Sequence, residues 1–231
     1  SEFLSELGKD YVVKFDGLAG GKGVKVSGDH LHSHRDALDY CSEIITNKGT
    51  FVIEQKFVGE EFSLMSFCDG ETLKHMPIVQ DHKRAFENDT GPNTGGMGTY
   101  SDANHSLPFL NESDVNEAKS INLKTAKALK EEFNEGYVGI LYGGFIATKN
   151  GVKLIEYNAR FGDPEAMNVL SILDSDFLEI CDLMTKKKLK DINIKFKKKA
   201  TVCKYAVPIG YPEEPVKNKP INLNKIENPD N

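Results

Sequence analysis

The stretch YVGILYGGFIATKNGVKLIEYN, residues 137–158, decides the fold class that we expect. It contains two apolar segments rich in β-branched and aromatic residues, separated by the turn residues KNG at 149–151. This pattern predicts two antiparallel strands joined by a tight turn. A second hairpin is predicted for the alternating segment EFSLMSF (61–67), the turn CDG, and LKHMPIV (73–79). Hairpins interspersed with helical patterns indicate an α+β fold with antiparallel sheets rather than regular βαβ alternation.

Outward from these hairpins, the remaining elements follow from periodicity and composition. Helical spacing predicts helices over residues 32–46, 113–133 and 176–187, the first of them capped by Ser33. Strands are predicted for YVVKF (11–15), VKVS (24–27) and FVIEQKF (51–57), and another opens within ATVCKYAVPIGYP (200–212). Residues 80–100 show no periodicity, so we expect a long loop there, functional or disordered.

Composition excludes several classes of protein. The chain has 231 residues, of which 39% are hydrophobic and 28% charged, which is typical of a globular protein with one large domain or two small ones. No apolar run approaches a membrane span, and the start does not resemble a signal peptide. Because the first residue is Ser1 rather than Met, we expect a processed or truncated product. A net charge of −6 argues against a general nucleic-acid binder.

The four cysteines predict a reducing compartment. They form no CxxC pair and have apolar neighbours, so we expect buried thiols and no zinc site. They are Cys41, Cys68, Cys181 and Cys203.

The glycine-rich segment DGLAGGKGV (16–24) is a candidate phosphate-binding loop. It matches neither the Walker A motif nor the dinucleotide fingerprint. Glycines nevertheless let backbone N–H groups crowd onto a phosphate, and Lys14 and Lys22 would neutralise its charge. A glycine-rich hairpin with a solvated lysine explains the loop alone about as well.

The end of the strand at 51–57 is a candidate adenine site. Glu54 and Gln55 close this strand, where backbone groups could meet the edge of a base, and Glu61 begins the next. A carboxylate such as Glu61 suits ribose hydroxyls. Acidic strand ends are common on protein surfaces, so this signal is weak alone.

The stretch IEYNARFGDPE (155–165) carries a candidate metal site. Glu156 and Asn158 are two residues apart on a strand, so their side chains leave the same face, and their oxygens suit Mg²⁺. Arg160 continues this face if the strand extends that far, and it would reach a transferring phosphoryl group or a substrate carboxylate. The alternative is a surface strand with a salt bridge.

A further charge cluster lies next to a second glycine-rich segment. Asp81, Lys83 and Arg84 precede TGPNTGGMG (90–98), which we expect to be flexible and able to close over a ligand. A disordered surface loop would explain the glycines but not the adjacent charges.

Taken together in chain order, these candidate segments resemble those of the ATP-grasp ligases and, among them, the phosphoribosylamine–glycine ligases. The resemblance runs from about Tyr11 to about Pro212. KFDGLAGGKGV marks the wider superfamily, whereas TGPNTGGMG and NARFGDPE together are specific for this family. The strand before Glu156 reads YGGF, without the second metal-binding acid of many ATP-grasp enzymes.

The resemblance implies a reaction and its participants. ATP phosphorylates the carboxylate of glycine, and the amine of 5-phosphoribosylamine attacks the acyl phosphate, giving glycinamide ribonucleotide, ADP and phosphate in purine biosynthesis. ATP is a substrate, and the cofactor is Mg²⁺ or Mn²⁺.

The resemblance also implies that the glycine loop is part of a lid that closes over ATP. It further implies roles for individual residues of this chain. Arg160 and Lys22 are the expected catalytic residues, and Glu156 and Asn158 the metal ligands. The expected ATP-binding residues are Lys14, Lys22, Glu54, Gln55, Phe57 and Glu61. The expected substrate-binding residues are Asp81, Lys83, Arg84, Asn93, Thr94, Gly95, Gly96, Arg160 and Asp163.

The implied fold is two antiparallel-sheet subdomains with nucleotide between them. We expect a lid over 1–58, a core over 59–195, and a linker with the start of an incomplete C-terminal domain over 196–231. Family members are roughly twice this length, so the partners include missing N- and C-terminal domains. We expect a cytoplasmic protein that binds neither nucleic acid nor membrane.

Three alternatives remain. The chain could be a nucleotide-binding fragment without activity of its own, or another ATP-grasp carboxylate–amine ligase. A nucleic-acid module has only the lysine runs at 186–190 and 195–199 in its favour, and solvated lysines beside a linker explain those.

Overall fold

The computed structural model describes residues 2–19, 23–88 and 90–222, which form three antiparallel sheets with helices packed against them. Within these ranges, none of the helices is both long and apolar enough to cross a bilayer. The α+β class expected from the hairpin patterns is therefore present.

The first sheet is small and has the strand order β2-β1-β3. Val13 of β1 and Ala37 of α2 are fully buried in the cluster beneath this sheet. The predicted cap of α2 is confirmed: Ser33 accepts a hydrogen bond from the Asp36 amide, and the Asp36 side chain accepts one from the Ser33 amide. The bounds are α1 Glu2–Leu7, β1 Tyr11–Phe15, β2 Val24–Val26, α2 His34–Thr46 and β3 Phe51–Gln55.

The second sheet has the order β5-β4-β8-β9 and contains both predicted hairpins. Its central pair, β4 and β8, is in register from Glu60↔Ala147 to Asp69↔Val138. The strand bounds are β4 Glu60–Asp69, β5 Leu73–His75, β8 Val138–Thr148 and β9 Gly151–Asn158.

Strand β4 is buried on both faces, although the alternation of residues 61–67 is more typical of a half-exposed strand. Phe62 and Leu64 face a cluster that includes Ala118, whereas Met65 and Phe67 face a second cluster with Ile180. Helix α3 covers one face, and α4 and α5 cover the other. The bounds of these helices are Glu112–Phe133, Glu165–Ser171 and Phe177–Thr185.

The third sheet corrects the expectation of a long loop over residues 80–100. Strands β6 (Gln80–Phe86) and β7 (Thr90–Ser101) pair with each other, and β10 (Thr201–Lys204) pairs with the outer side of β7. The β6–β7 ladder is irregular on both sides of Arg84. Backbone pairing does not require apolar side chains, and the bulges and glycines of this pair remove the period-two signal by which a strand is recognised.

Other expectations are corrected in detail. The strand expected within 200–212 extends only from Thr201 to Lys204, before a stretch with prolines that cannot continue a ladder. Helices α1 and α4 and a short 3-10 helix over Leu189–Asp191 were not predicted. Only Cys41 and Cys68 are buried, while Cys181 and Cys203 are partly exposed.

Candidate active site

A narrow, charged cleft lies on the second sheet, where the first and third sheets approach it. Strands β4, β6, β8 and β9 all contribute to its wall. Four charged side chains line it, namely Glu61, Asp81, Lys83 and Glu156, with Ser63, Tyr142, Gly144 and Ile155 among the other lining residues. These residues come from segments up to about 100 residues apart in the chain. The β6–β7 and β8–β9 pairs that carry several of them are both irregular in register.

Lys14 joins the first sheet to this cleft. Its Nζ donates a hydrogen bond to the carbonyl of Ile155 at 3.1 Å and forms an ion pair with Glu54 Oε2 at 2.6 Å. Lys14 is thus held over the β9 segment next to Glu156. A cation fixed between two sheets in this way can meet an anion bound in the cleft.

Glu156 and Asn158 are neighbours on one face of β9, as the spacing predicts. Asn158 Nδ2 donates to Glu156 Oε1 at 3.4 Å, so the amide oxygen of Asn158 and the second carboxylate oxygen of Glu156 remain as ligands. Among the described residues, no cluster of three or more His, Cys, Asp or Glu side chains could hold a metal ion. The pair therefore fits a hard cation that takes its other ligands from phosphate oxygens or water.

Lys83 lies among carboxylates. Its Nζ is 3.4 Å from Glu61 Oε2. Burial lowers the pKa of Lys83, but the negative charges of Glu61, Asp81 and Glu156 outweigh burial, so its pKa is raised. The ammonium group therefore remains charged and available to an anion at neutral pH.

Asp81 has no partner for one of its carboxylate oxygens. Its Oδ1 is buried, and no described group bonds to it. Burial, followed by repulsion from Glu165, raises the pKa of Asp81 to about 7. An unpaired buried acid in a cleft is costly unless a ligand completes its hydrogen bonds.

Two sequence motifs meet at Gly96. An ideal Cβ on Gly96 would lie 2.6 Å from Pro164 Cδ, 2.9 Å from Asp81 Oδ1 and 3.3 Å from the Asp163 carbonyl oxygen. The φ angle of Gly96 is 135°, a region that strongly favours glycine. The predicted substrate segments 90–98 and 158–165 are thus in contact beside Asp81.

The guanidinium groups of the two arginines expected at the site, Arg84 and Arg160, do not face the residues that line the cleft. Arg84 donates to the Gly91 carbonyl at 2.8 Å and to Asp29 Oδ2 at 3.3 Å. Arg160 lies beyond the end of β9 at Asn158, so it does not continue the strand face, and its Nη1 donates to the Phe161 carbonyl at 2.8 Å. Arg160 is exposed, so it remains free to turn towards a ligand.

The remaining predicted residues surround the cleft or lie elsewhere. Thr94 is built into the β6–β7 pair, where its hydroxyl donates to the Lys83 carbonyl at 2.8 Å and accepts from the Gly96 amide at 3.1 Å. Asn93 and Gly95 are exposed on β7, Gln55 is exposed at the end of β3, and Phe57 is half-buried. Lys22, on the glycine loop, lies outside the described residues.

Comparison with known families gives an unambiguous match. The family model described as "Phosphoribosylglycinamide synthetase, ATP-grasp (A) domain" matches residues 1–166. The chain belongs to this family. ATP-grasp enzymes use ATP with divalent metal ions, which agrees with the ligand class expected from the sequence.

Individual relatives of the phosphoribosylglycinamide synthetase family support the assignment. The phosphoribosylamine–glycine ligase of Methanosarcina barkeri is 54% identical over 225 residues, covering 97% of this chain and 52% of that protein. The ligase of Methanocaldococcus jannaschii is 55% identical over 225 residues, covering 96% and 50% respectively. The chain thus spans about half the length of the curated relatives it matches.

A solved structure confirms the family's fold. The crystal structure of the phosphoribosylamine–glycine ligase of Thermotoga maritima superposes with a TM-score of 0.80 at 28% identity, covering 93% of this chain and 54% of that one. The α+β ATP-grasp fold and the family resemblance expected from the sequence are therefore confirmed.

Sequence reasoning missed several members of the site of this synthetase domain. Tyr142 donates to Glu165 Oε1 at 2.7 Å, and both residues are buried behind Asp81. Tyr205 donates a hydrogen bond to the carboxylate of Asp163. Glu165 stands in the motif NARFGDPE, which could have indicated it. Nothing local marks the two tyrosines, because their partners are 23 and 42 residues away.

Proposed function

We propose that this chain is the ATP-grasp part of a phosphoribosylamine–glycine ligase. The glycine carboxylate attacks the γ-phosphorus of ATP and ADP leaves; the amine of 5-phosphoribosylamine then attacks the acyl carbon of glycyl phosphate and phosphate leaves. The observation that carries the proposal is the cleft in which Glu61, Asp81, Lys83 and Glu156 converge under Lys14. Catalysis of this kind relies on positioned charge rather than on a protein nucleophile.

The nucleotide would bind between the first sheet and the cleft. Lys14 already bridges these elements, so exchanging its Ile155 carbonyl partner for a phosphate oxygen would fix ATP there. Glu54 and Gln55 at the end of β3, and Phe57 just after it, would flank the base. Lys22 would approach the phosphates from the glycine loop. Glu61 was expected at the ribose, but its contact with Lys83 favours a place nearer the phosphates.

Glu156 and Asn158 would hold Mg²⁺ or Mn²⁺. When bound, the ion supplies positive charge to the phosphate oxygens of ATP. The protein's own part is to keep the two oxygen ligands side by side on β9, facing a cleft in which Lys83 adds a second positive charge.

The amino acid would lie at the end of the cleft near Asp81. Asp81 lines the cleft, and its carboxyl group would receive the ammonium group of glycine. The other residues of the proposed substrate-binding set are Lys83, Arg84, Asn93, Thr94, Gly95, Gly96, Arg160 and Asp163. The acyl phosphate must be shielded from water, which closure of the glycine loop would achieve.

The proposed division of the chain is a lid over 1–58, a core over 59–195, and a linker with the start of a further domain over 196–231. Domains contributed by the rest of a longer polypeptide would complete the substrate site, since the chain spans about half of its relatives. The reaction would serve purine biosynthesis in the cytoplasm.

A second candidate is a nucleotide-binding fragment without activity, which the half-length match favours. Another carboxylate–amine ligase of the same fold is the third. One experiment separates the three. ADP release is assayed for the chain alone and for a protein of the full length of its relatives that contains it, first with glycine and 5-phosphoribosylamine and then with other carboxylic acids and amines. Glycinamide ribonucleotide formed by the longer protein supports the ligase. ATP binding without product in either protein favours the inert fragment, and ADP release with a different acid or amine favours the third.

A further inference from the structure

Tyr205 reaches the candidate site from outside the segment that matches the synthetase family model, which ends at residue 166. Its phenol O–H donates a hydrogen bond to the carboxylate of Asp163. Its backbone N–H donates to the Met97 carbonyl at 3.0 Å, which attaches it to the segment containing Gly96.

The position of Tyr205 is set by the strand that precedes it. β10 pairs with β7 in the register Cys203↔Thr99 and Lys204↔Gly98. The buried side chain of Asn168 also donates to Thr201, to the carbonyl at 3.3 Å and to the hydroxyl at 3.1 Å. The phenol is therefore presented from an ordered strand end rather than from a free tail.

Asp163 is the acid that this phenol meets. Its side chain is exposed, whereas its carbonyl and the ring of Pro164 lie against Gly96, beside the unpaired oxygen of Asp81. An exposed carboxylate samples several rotamers unless a partner holds it, and a ligand then has to supply that ordering free energy itself. A fixed donor removes part of this cost.

We propose that Tyr205 is a positioning residue: its phenol holds the Asp163 carboxylate in the orientation that receives the amine or hydroxyl groups of a substrate at the edge of the cleft. This inference rests on the proposed ligase function. The hydrogen bond to Asp163 and, after it, burial raise the pKa of Tyr205 to about 12, so the phenol remains a donor throughout the neutral range.

The contact itself can be tested without catalysis. Tyrosine labelled with ¹³C at Cζ is titrated by NMR in the chain of 231 residues, and Tyr205→Phe identifies the Tyr205 signal. Asp163→Asn should lower the pKa of Tyr205 towards its ordinary value of 10, because a neutral amide oxygen is a weaker acceptor than a carboxylate and the negative charge is removed. An unchanged Tyr205 titration in Asp163→Asn overturns the proposal.

The functional role is tested in a full-length ligase that contains this chain. Tyr205→Phe should raise KM for glycine or for 5-phosphoribosylamine on the order of tenfold, with KM for ATP and the melting temperature little changed. In an Asp163→Asn background the same substitution should have no further effect. Tyr211→Phe, a nearby tyrosine outside the proposed site, serves as the matched control.

The outcomes are distinguishable from failure of the function itself. A parent enzyme without ligase activity refutes the proposed function, and the NMR titration then decides the Tyr205–Asp163 contact alone. An active enzyme in which Tyr205→Phe leaves both substrate KM values unchanged, or in which its effect adds fully to that of Asp163→Asn, overturns the positioning role.

Discussion

Gly144 lies opposite Glu156 in the ladder between β8 and β9, and an ideal Cβ on Gly144 would be 3.4 Å from Glu156 Cγ. Because Gly144 has no side chain, the position on β8 that pairs with the proposed metal ligand Glu156 leaves the space beside it open. Both residues line the cleft. At this rung of the ladder the Glu156 carboxylate, supported by Asn158, faces the cleft where phosphates would lie.

Glu156→Ala in a full-length ligase should lower turnover on the order of a hundredfold or more, since removing one electrostatic contact to a developing charge typically has such an effect. The fold should survive because the Glu156 side chain is exposed. Product formation at saturating substrates and a melting curve measure both effects. Binding of Mn²⁺ in the presence of ATP, followed by electron paramagnetic resonance, should weaken in the same variant.

The control for this prediction is Glu132→Ala on the exposed side of α3. It changes the net charge equally but lies outside the cleft, so turnover should be unaffected. Near-normal turnover and unaltered Mn²⁺ binding in Glu156→Ala would remove Glu156 from the metal site.

Gly96→Ala and Gly95→Ala should differ sharply in stability. A methyl group at Gly96 would meet Pro164 and Asp81 at under 3.0 Å with the backbone at φ 135°, whereas nothing lies within 4 Å of a methyl group at Gly95. Strain of this kind is worth about 1–3 kcal/mol. Urea unfolding of the two variants is the measurement. Equal unfolding free energies would contradict the close contact of the two motifs at Gly96.

Lys14→Met should weaken ATP binding on the order of tenfold or more, because a charge-assisted contact to phosphate contributes about 1.5–3 kcal/mol. Calorimetry with ATP and Mg²⁺ gives the dissociation constant. Lys149→Met in the exposed β8–β9 turn removes the same charge away from the cleft and should leave the constant unchanged. Identical affinity in both variants would exclude Lys14 from the nucleotide site.

Asp81→Asn should alter the pH dependence of stability. The pKa of Asp81 is raised to about 7 in the folded protein from an ordinary value of 3.8, so the folded state binds this proton more tightly than the unfolded state. Proton binding by Asp81 therefore stabilises the folded state fully below about pH 4, and this stabilisation is lost as the pH rises to about 7. Relative to the parent, Asp81→Asn should therefore gain unfolding free energy as the pH rises between these limits, by up to about 4 kcal/mol.

The comparison with the parent protein is needed because other groups titrate in the same range. Burial lowers the pKa of His75 to about 4, which changes stability with the opposite slope. His75 is present in both proteins, so its contribution cancels in the difference. A constant difference between parent and Asp81→Asn across this range would mean that Asp81 is not a buried acid.

The sequence predicted those elements whose side chains carry a periodic signal. The strands around the turn at 149–151 and helix α2 with its cap are examples, since local propensity and tertiary packing agree there. The β6–β7 pair was missed because backbone hydrogen bonds and bulges build it from glycine-rich sequence. Helix α4 was missed because its N-cap residue is Pro164, which has no side chain that could cap the helix.

The same distinction applies to the site. The spacing of Glu156 and Asn158 places them on one face, and this is a local property that a sequence reveals. The hydrogen bond from Lys14 to Ile155 spans 141 positions in the chain, and the unpaired oxygen of Asp81 results from burial by several elements. Such relations arise only when the sheets are assembled, so no single stretch encodes them.

The burial of β4 on both faces in the folded protein has a consequence while the chain is being synthesised. Strand β4 leaves the ribosome before its partner β8, from which the third-sheet hairpin and α3 separate it. Until β8 arrives, an apolar strand with high β-propensity is exposed to other nascent chains, a situation that favours intermolecular aggregation. Glu60, Glu61 and Asp69 at the two ends of β4 place like charges where such strands would stack, and so act as gatekeepers against it.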